Sequence, residues 1–124
     1  MKAVATVILN RVNATVGEYS RVSQGGNIRN ILFQPYQFDC VSETLYGKYN
    51  PQNIYNVNPT DENYYIADWA LSGNKLSNAG ECLWYLNPFS PKCEQTFPRN
   101  GSGTFKTRIV NQCFYNPTSL YNNT

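Results

Sequence analysis

The chain has 124 residues, a formal net charge of +2 at pH 7 and no histidine. Apolar residues make up 41% of it and charged residues 15%, which is typical of one globular domain with one modest core. The ten scattered Lys and Arg residues argue against a nucleic-acid partner, and no apolar run is long enough for a membrane span. The lack of histidine excludes Ser-His-Asp and Cys-His nucleophiles, which leaves carboxylate chemistry or no catalysis.

The first predicted element is a helix that begins at Met1 and ends at Val12. Its apolar residues recur at the spacing of one helix face, at Val4, Val7 and Ile8 and again at Val12. Residues 13–26 are polar and glycine-rich and are predicted to form a loop. Residues 27–33 are predicted to form a short helix that ends before Pro35, because the residue before a proline is disfavoured in the helical conformation.

The strongest local pattern lies in residues 60–73, after an irregular stretch at 47–59. Thr60 suits a helix N-cap, and Asp61 and Glu62 suit the positive end of the first turn. Gly73 suits the position just past the helix end. A third helix is therefore predicted here, with an apolar face that includes the tyrosines at its start.

The C-terminal third of the chain is predicted to form β-strands. Residues 82–86 form an apolar run that ends at Asn-Pro, and residues 105–110 and 112–115 follow a glycine-marked turn. Helices followed by strands predict a single α+β domain over residues 1–124, with a small antiparallel hairpin or sheet near the C-terminus.

Four cysteines allow three disulfide pairings. Cys93 and Cys113 flank a turn-rich segment, which makes them the candidate pair for a disulfide-closed hairpin. Four buried, reduced thiols are the alternative, because no export signal is visible.

Tyrosine is abundant, with ten residues, and asparagine is frequent. Both can line a carbohydrate cleft, because a tyrosine ring stacks on a sugar face and asparagine bonds hydroxyl groups. An AT-rich genome would produce the same bias whatever the function.

Five segments in order resemble the spore cortex-lytic cell wall hydrolases of the SleB and CwlJ type. In chain order they are AVATVILNRV, ILFQPYQFDCV, YYIADWALSG, LWYLNPFSP and TRIVNQCFYNPT. The cysteine in the loop after Asn-Pro and the Cys-Phe-Tyr-Asn-Pro-Thr tail resemble the CwlJ branch more closely. The likeness covers nearly the whole chain.

The resemblance implies a lysozyme-like α+β domain that cleaves peptidoglycan glycan strands in the spore cortex or cell wall. It implies a lytic transglycosylase or muramidase reaction that needs one carboxylic acid and neither metal nor cofactor. For the CwlJ branch it also implies a spore coat protein as partner. The alternative is a non-catalytic module that binds peptidoglycan or another partner. A third hypothesis is a small disulfide-linked secreted domain unrelated to sugars.

The resemblance also places the family's catalytic glutamate upstream of Met1. Three accounts are open: an N-terminally incomplete domain, a non-catalytic relative, or another carboxylate in its place. Asp39 and Glu43, which bracket Cys40, are the best substitutes, whereas Glu18 is assigned to a loop after the first helix. If a preceding segment normally covers the first helix, Met1 to Val12 exposes apolar surface, and self-association through it is expected.

Substrate-binding residues can be carried over position by position. The residues that match the family's motifs and could contact glycan are Asn10, Arg11, Gln34, Tyr36, Tyr85 and Asn87. For the first two, a helix C-cap with a surface arginine is an equally good reading.

Overall fold

The computed structural model describes residues 1–35 and 37–124. It contains four α-helices and two small antiparallel sheets: α1 (Lys2–Val12), α2 (Gly17–Ser23), α3 (Ile28–Leu32), β1 (Thr44–Leu45), β2 (Lys48–Tyr49), α4 (Asp61–Leu71), β3 (Trp84–Leu86), β4 (Gly103–Ile109) and β5 (Gln112–Pro117). Two 3-10 helices, Asp39–Val41 and Ser119–Asn123, complete it. The predicted α+β class is confirmed.

The C-terminal sheet has the strand order β3-β5-β4 and is antiparallel throughout. Trp84 pairs with Tyr115 across β3 and β5, and a register shift interrupts β4 between Phe105 and Thr107. The central strand β5 is buried on both faces: Tyr115 belongs to a core with Tyr19 and Trp84, and Phe114 belongs to a second core with Ala3 and Val7 of α1. All three predicted strands are therefore confirmed.

Helix α1 is the central helix, but its buried face is only in part the predicted one, because Val4 and Ile8 are half-buried whereas Val7 and Val12 are buried. It buries Ala3, Val7 and Val12, and it is in contact with all three other helices and with β3. Helix α4 packs on α1 and starts with a capping box in which Thr60 and Asn63 bond each other's backbone amides. The prediction that its N-terminal tyrosines form a packed face is wrong, because Tyr64 and Tyr65 are both exposed.

The loop predicted for residues 13–26 is wrong in part, because α2 forms there. Gly17 begins the helix with φ +72°, and a Cβ atom at this position would lie 2.6 Å from the ring of Tyr121. The helix then buries Tyr19 and Ser23. A glycine at this position thus allows α2 to lie directly against the C-terminal 3-10 helix.

A disulfide joins Cys93 to Cys113, with an S–S distance of 1.98 Å. Cys40 is exposed and Cys82 is buried, and both are free thiols. Burial raises the pKa of the Cys82 thiol to about 11, which keeps it protonated and unreactive at neutral pH. Within the described ranges, no helix is both long and apolar enough to cross a membrane.

Candidate active site

A cavity of about 420 Å³ opens where the end of α1, the start of α2 and β3 meet. It brings together one cation, one carboxylate, an amide and several aromatic rings. The residues that line it are Arg11, Glu18, Tyr19, Gln37, Phe38, Trp84, Tyr85, Phe97 and Pro98. We call it the central cavity. Its volume falls in the range of small-ligand sites in proteins.

Arg11 is the charged group beneath the central cavity and is only 5% exposed. Its Nε donates to the carbonyl of Leu83 at 2.7 Å, and its Nη1 donates to Oε1 of Gln37 at 3.2 Å. Its guanidinium carbon lies 4.6 Å from the ring centroid of Tyr19. Burial lowers the pKa of Arg11, while the charges of Tyr19, Tyr85 and Glu18 oppose that effect. Because an arginine pKa starts so high, the group stays cationic at neutral pH.

Glu18 is the acidic residue that lines the central cavity. It lies in the first turn of α2, and its backbone amide donates to Oγ1 of Thr124 at 2.8 Å. Its side chain is half-buried. Within the described part of the chain, no group donates a hydrogen bond to its carboxylate, so the carboxylate is available to a ligand.

Two phenols complete the polar lining of the central cavity. Burial raises the pKa of Tyr19 to about 12, an effect that the neighbouring Arg11 opposes. Burial also raises the pKa of Tyr85, and the neighbouring Arg11 again opposes this effect. Both hydroxyls are therefore protonated at neutral pH, and that of the half-buried Tyr85 can donate a hydrogen bond to a sugar oxygen, whereas Tyr19 is fully buried.

Of the six predicted substrate-binding residues, Arg11 and Tyr85 lie in the central cavity. Asn10 is buried, and its Nδ2 donates to the carbonyls of Gly80 at 2.9 Å and Cys82 at 3.0 Å. It lines a different cavity, of about 410 Å³. The reading of Asn10 and Arg11 as a surface cap is wrong, because both are buried and Asn13 caps α1.

The other predicted residues lie outside the central cavity or outside the described residues. Asn87 shapes a turn, since its Oδ1 accepts from the backbone amide of Phe89 at 2.9 Å. The Oε1 of Gln34 is buried and has no hydrogen-bond partner among the described residues. Tyr36, also predicted to contact glycan, is the residue that the structure does not describe.

The two carboxylates predicted as substitute acids are both exposed, and neither lines the central cavity. Asp39 begins a 3-10 helix, and Glu43 borders a separate depression beside Tyr49 and Tyr55. Sequence reasoning passed over Glu18 because it assigned residues 13–26 to a loop. The sequence did contain a signal for a helix at Glu18, because an acidic residue is favourable in the first turn of a helix and Glu18 directly follows a glycine.

The central cavity offers the groups of a carbohydrate site rather than those of a metal site. The described residues contain no group of three or more Cys, Asp or Glu side chains that could hold a metal ion. Aromatic rings, neutral phenols and an amide suit a polyhydroxylated ligand, and the single carboxylate can exchange a proton with it.

Comparison with known proteins gives one match. A family model described as Cell Wall Hydrolase matches residues 1–115. No curated protein and no solved structure gives a significant match. The matched range includes every residue that lines the central cavity.

Proposed function

The chain belongs to the cell wall hydrolase family, and on that premise we propose that it cleaves the glycan strands of peptidoglycan in the central cavity. The observation that carries the proposal is the meeting of Arg11, Glu18 and Tyr85 in one cavity. A glycan-cleaving site needs a carboxylic acid beside a surface that holds the sugar, and this cavity has both.

The proposed reaction is that of a lytic transglycosylase. Glu18 donates a proton to the glycosidic oxygen, and the bond between that oxygen and the anomeric carbon breaks. The 6-hydroxyl of the same muramic acid attacks the anomeric carbon, forms the 1,6-anhydro bond and returns its proton to the carboxylate. The intramolecular hydroxyl replaces water, so a second carboxylate is not required.

The count of acidic groups in the central cavity supports this reaction over ordinary hydrolysis. Inverting and retaining glycosidases both use two carboxyl groups that flank the scissile bond. Among the described residues that line the central cavity, Glu18 is the one carboxylate. The buried Arg11 beneath the cavity can bond sugar or lactam oxygens that face it.

The biological setting follows from the resemblance described above. We propose a lysozyme-like enzyme of the CwlJ-like branch that acts on spore cortex during germination, together with a spore coat protein. The Cys93–Cys113 disulfide supports this branch, because both cysteines lie in the segments that resemble it.

A non-catalytic peptidoglycan-binding module is the second candidate. The observation that favours it is the lining of the central cavity, which is mostly aromatic and neutral and would hold a sugar without cutting it. Such a module would sediment with insoluble peptidoglycan and leave the glycan intact.

Product analysis separates the two candidates. The purified chain is incubated with cortex peptidoglycan, and the soluble fragments are analysed by mass spectrometry. We expect anhydro-ended fragments, which are lighter than hydrolysed ones by one water. Hydrated reducing ends would contradict the transglycosylase reaction, and sedimentation of the chain without any fragments would contradict cleavage.

A further inference from the structure

Three exposed tyrosines lie on one segment, and none of them lines the central cavity. Tyr46 is 100% exposed, Tyr55 78% and Tyr49 71%. We call them the tyrosine surface. Contiguous exposed aromatic surface marks an interaction site, and Tyr49 and Tyr55 line one depression together. Tyrosine presents a rigid, amphipathic area whose ordering costs little entropy.

The backbone beneath the tyrosine surface is fixed by asparagines. Asn50 and Asn53 are almost fully buried, at 1% and 3% exposed. The Nδ2 of Asn50 donates to the carbonyls of Asp39 and Ser42, both at 2.9 Å, and the Nδ2 of Asn53 also donates to Ser42, at 3.0 Å. The Nδ2 of Asn56 donates to the carbonyl of Asn50 at 2.9 Å. These bonds hold the segment in one shape without a hydrophobic core, so the tyrosines need little ordering when they bind.

A depression of about 450 Å³ lies between two of these tyrosines. Its polar lining is an exposed carboxylate, a hydroxyl and amides, and its lining residues are Glu43, Thr44, Tyr49, Asn53, Tyr55 and Asn56. A carboxylate accepts hydrogen bonds from adjacent hydroxyls, while tyrosine rings cover the apolar face of a pyranose. None of the described residues that line the depression is Lys or Arg, which disfavours phosphate and nucleic acid as ligands.

We propose that the tyrosine surface is a second glycan-binding site, which holds a peptidoglycan strand outside the central cavity and anchors the chain to its insoluble substrate. Among the residues that the structure describes, the two sites have no lining residue in common. Glu43 acts there as a hydrogen-bond acceptor for sugar hydroxyls and not as a catalytic acid. The inference rests on the proposed function, because the strand bound is the one to be cleaved.

The test measures binding and not cleavage. Glycan strands that an amidase has freed of their stem peptides are immobilised on beads and mixed with the full chain, and the bound fraction is measured by sedimentation of the beads. We expect Tyr49→Ala and Tyr55→Ala each to weaken binding by about fivefold, and the double variant by more. Tyr49→Phe keeps the ring and should retain most of the affinity.

The matched control is Tyr64→Ala, which removes an equally exposed tyrosine from α4 and should leave binding unchanged. Circular dichroism checks that every variant is folded. If the unaltered chain binds but Tyr49→Ala/Tyr55→Ala binds equally well, the tyrosine surface is not a glycan site and the proposed function stands. If the unaltered chain binds only peptidoglycan that keeps its stem peptides, the ligand is peptide and this inference is wrong. If it binds no peptidoglycan at all, the proposed function fails as well.

Discussion

Arg11 ties together three parts of the fold beneath the central cavity. Its two hydrogen bonds reach the residue that precedes β3 and the loop after α3, and its guanidinium lies against α2 at Tyr19. A buried arginine is stabilising only while its donors are paired, so its partners are as important as its charge. Arg11 thus sets the geometry of the site as well as its electrostatics.

Replacement of Arg11 should cost stability as well as function. Arg11→Met keeps the apolar stem but leaves the buried carbonyl of Leu83 without its charged donor, so we expect the free energy of unfolding to fall by about 2 kcal/mol. Urea denaturation measures this change. Arg99→Met removes an exposed arginine and should change stability by no more than about 0.5 kcal/mol. Equal effects of the two substitutions would show that the Arg11 bonds are not structural.

The family resemblance proposed Arg11 and Tyr85 as substrate-binding residues, and the structure places both in the lining of the central cavity beside Glu18, which the resemblance did not select. Helix periodicity placed Arg11 at the end of α1, yet periodicity alone cannot tell a surface cap from a buried residue that bonds a distant carbonyl. The partner of Arg11 at Leu83 is 72 residues away in the chain. Burial at such a position depends on tertiary contacts that no local pattern contains.

At the scale of elements, the Cys93–Cys113 disulfide fixes the loop after β3 to β5. The two cysteines are 20 residues apart, and a closed loop of that length restricts the unfolded chain. In the chain-entropy account, this is worth about 3 kcal/mol of stability. The disulfide therefore supports the sheet that carries Tyr85.

Reduction should reveal that contribution. In a Cys40→Ser background, which removes the exposed thiol, we expect dithiothreitol to lower the free energy of unfolding by about 3 kcal/mol. The matched variant that also carries Cys93→Ala and Cys113→Ala should show no response to the reductant. A parent protein whose urea transition is unmoved by dithiothreitol would contradict the structural role of the bond.

Elements with a strong local sequence pattern were predictable. Short elements whose formation depends on one or two residues were not. Helices α1 and α4 carry apolar periodicity or a capping pattern, and both occur where predicted. Helix α2 has only seven residues and two buried side chains, too few for a periodic stripe. The β1–β2 hairpin depends on Tyr46 and Gly47, which both adopt positive φ in its turn. A tyrosine is rare in that conformation, so the turn had no sequence signal.

At the scale of the whole molecule, the structure also has an apolar groove besides the central cavity and the tyrosine surface. The groove encloses about 880 Å³ between α1, α3 and α4 and includes Met1, Val4 and Ile8 in its lining. Self-association through the helix from Met1 to Val12 stays a prediction. The apolar lining of this groove is consistent with it. We propose cleavage for the central cavity and anchoring for the tyrosine surface. Among the described residues, neither lining shares a residue with the groove.

The most direct test of the account is the release of soluble fragments from peptidoglycan by a Glu18→Gln variant. Glutamine keeps the size of the side chain but cannot donate the proton, so we predict a loss of at least about 100-fold in the rate. Glu62→Gln, an equally conservative change at an exposed position of α4, should release fragments at the rate of the unaltered chain. A Glu18→Gln variant that cleaves as fast as the unaltered chain would contradict the assignment of the chemistry to the central cavity.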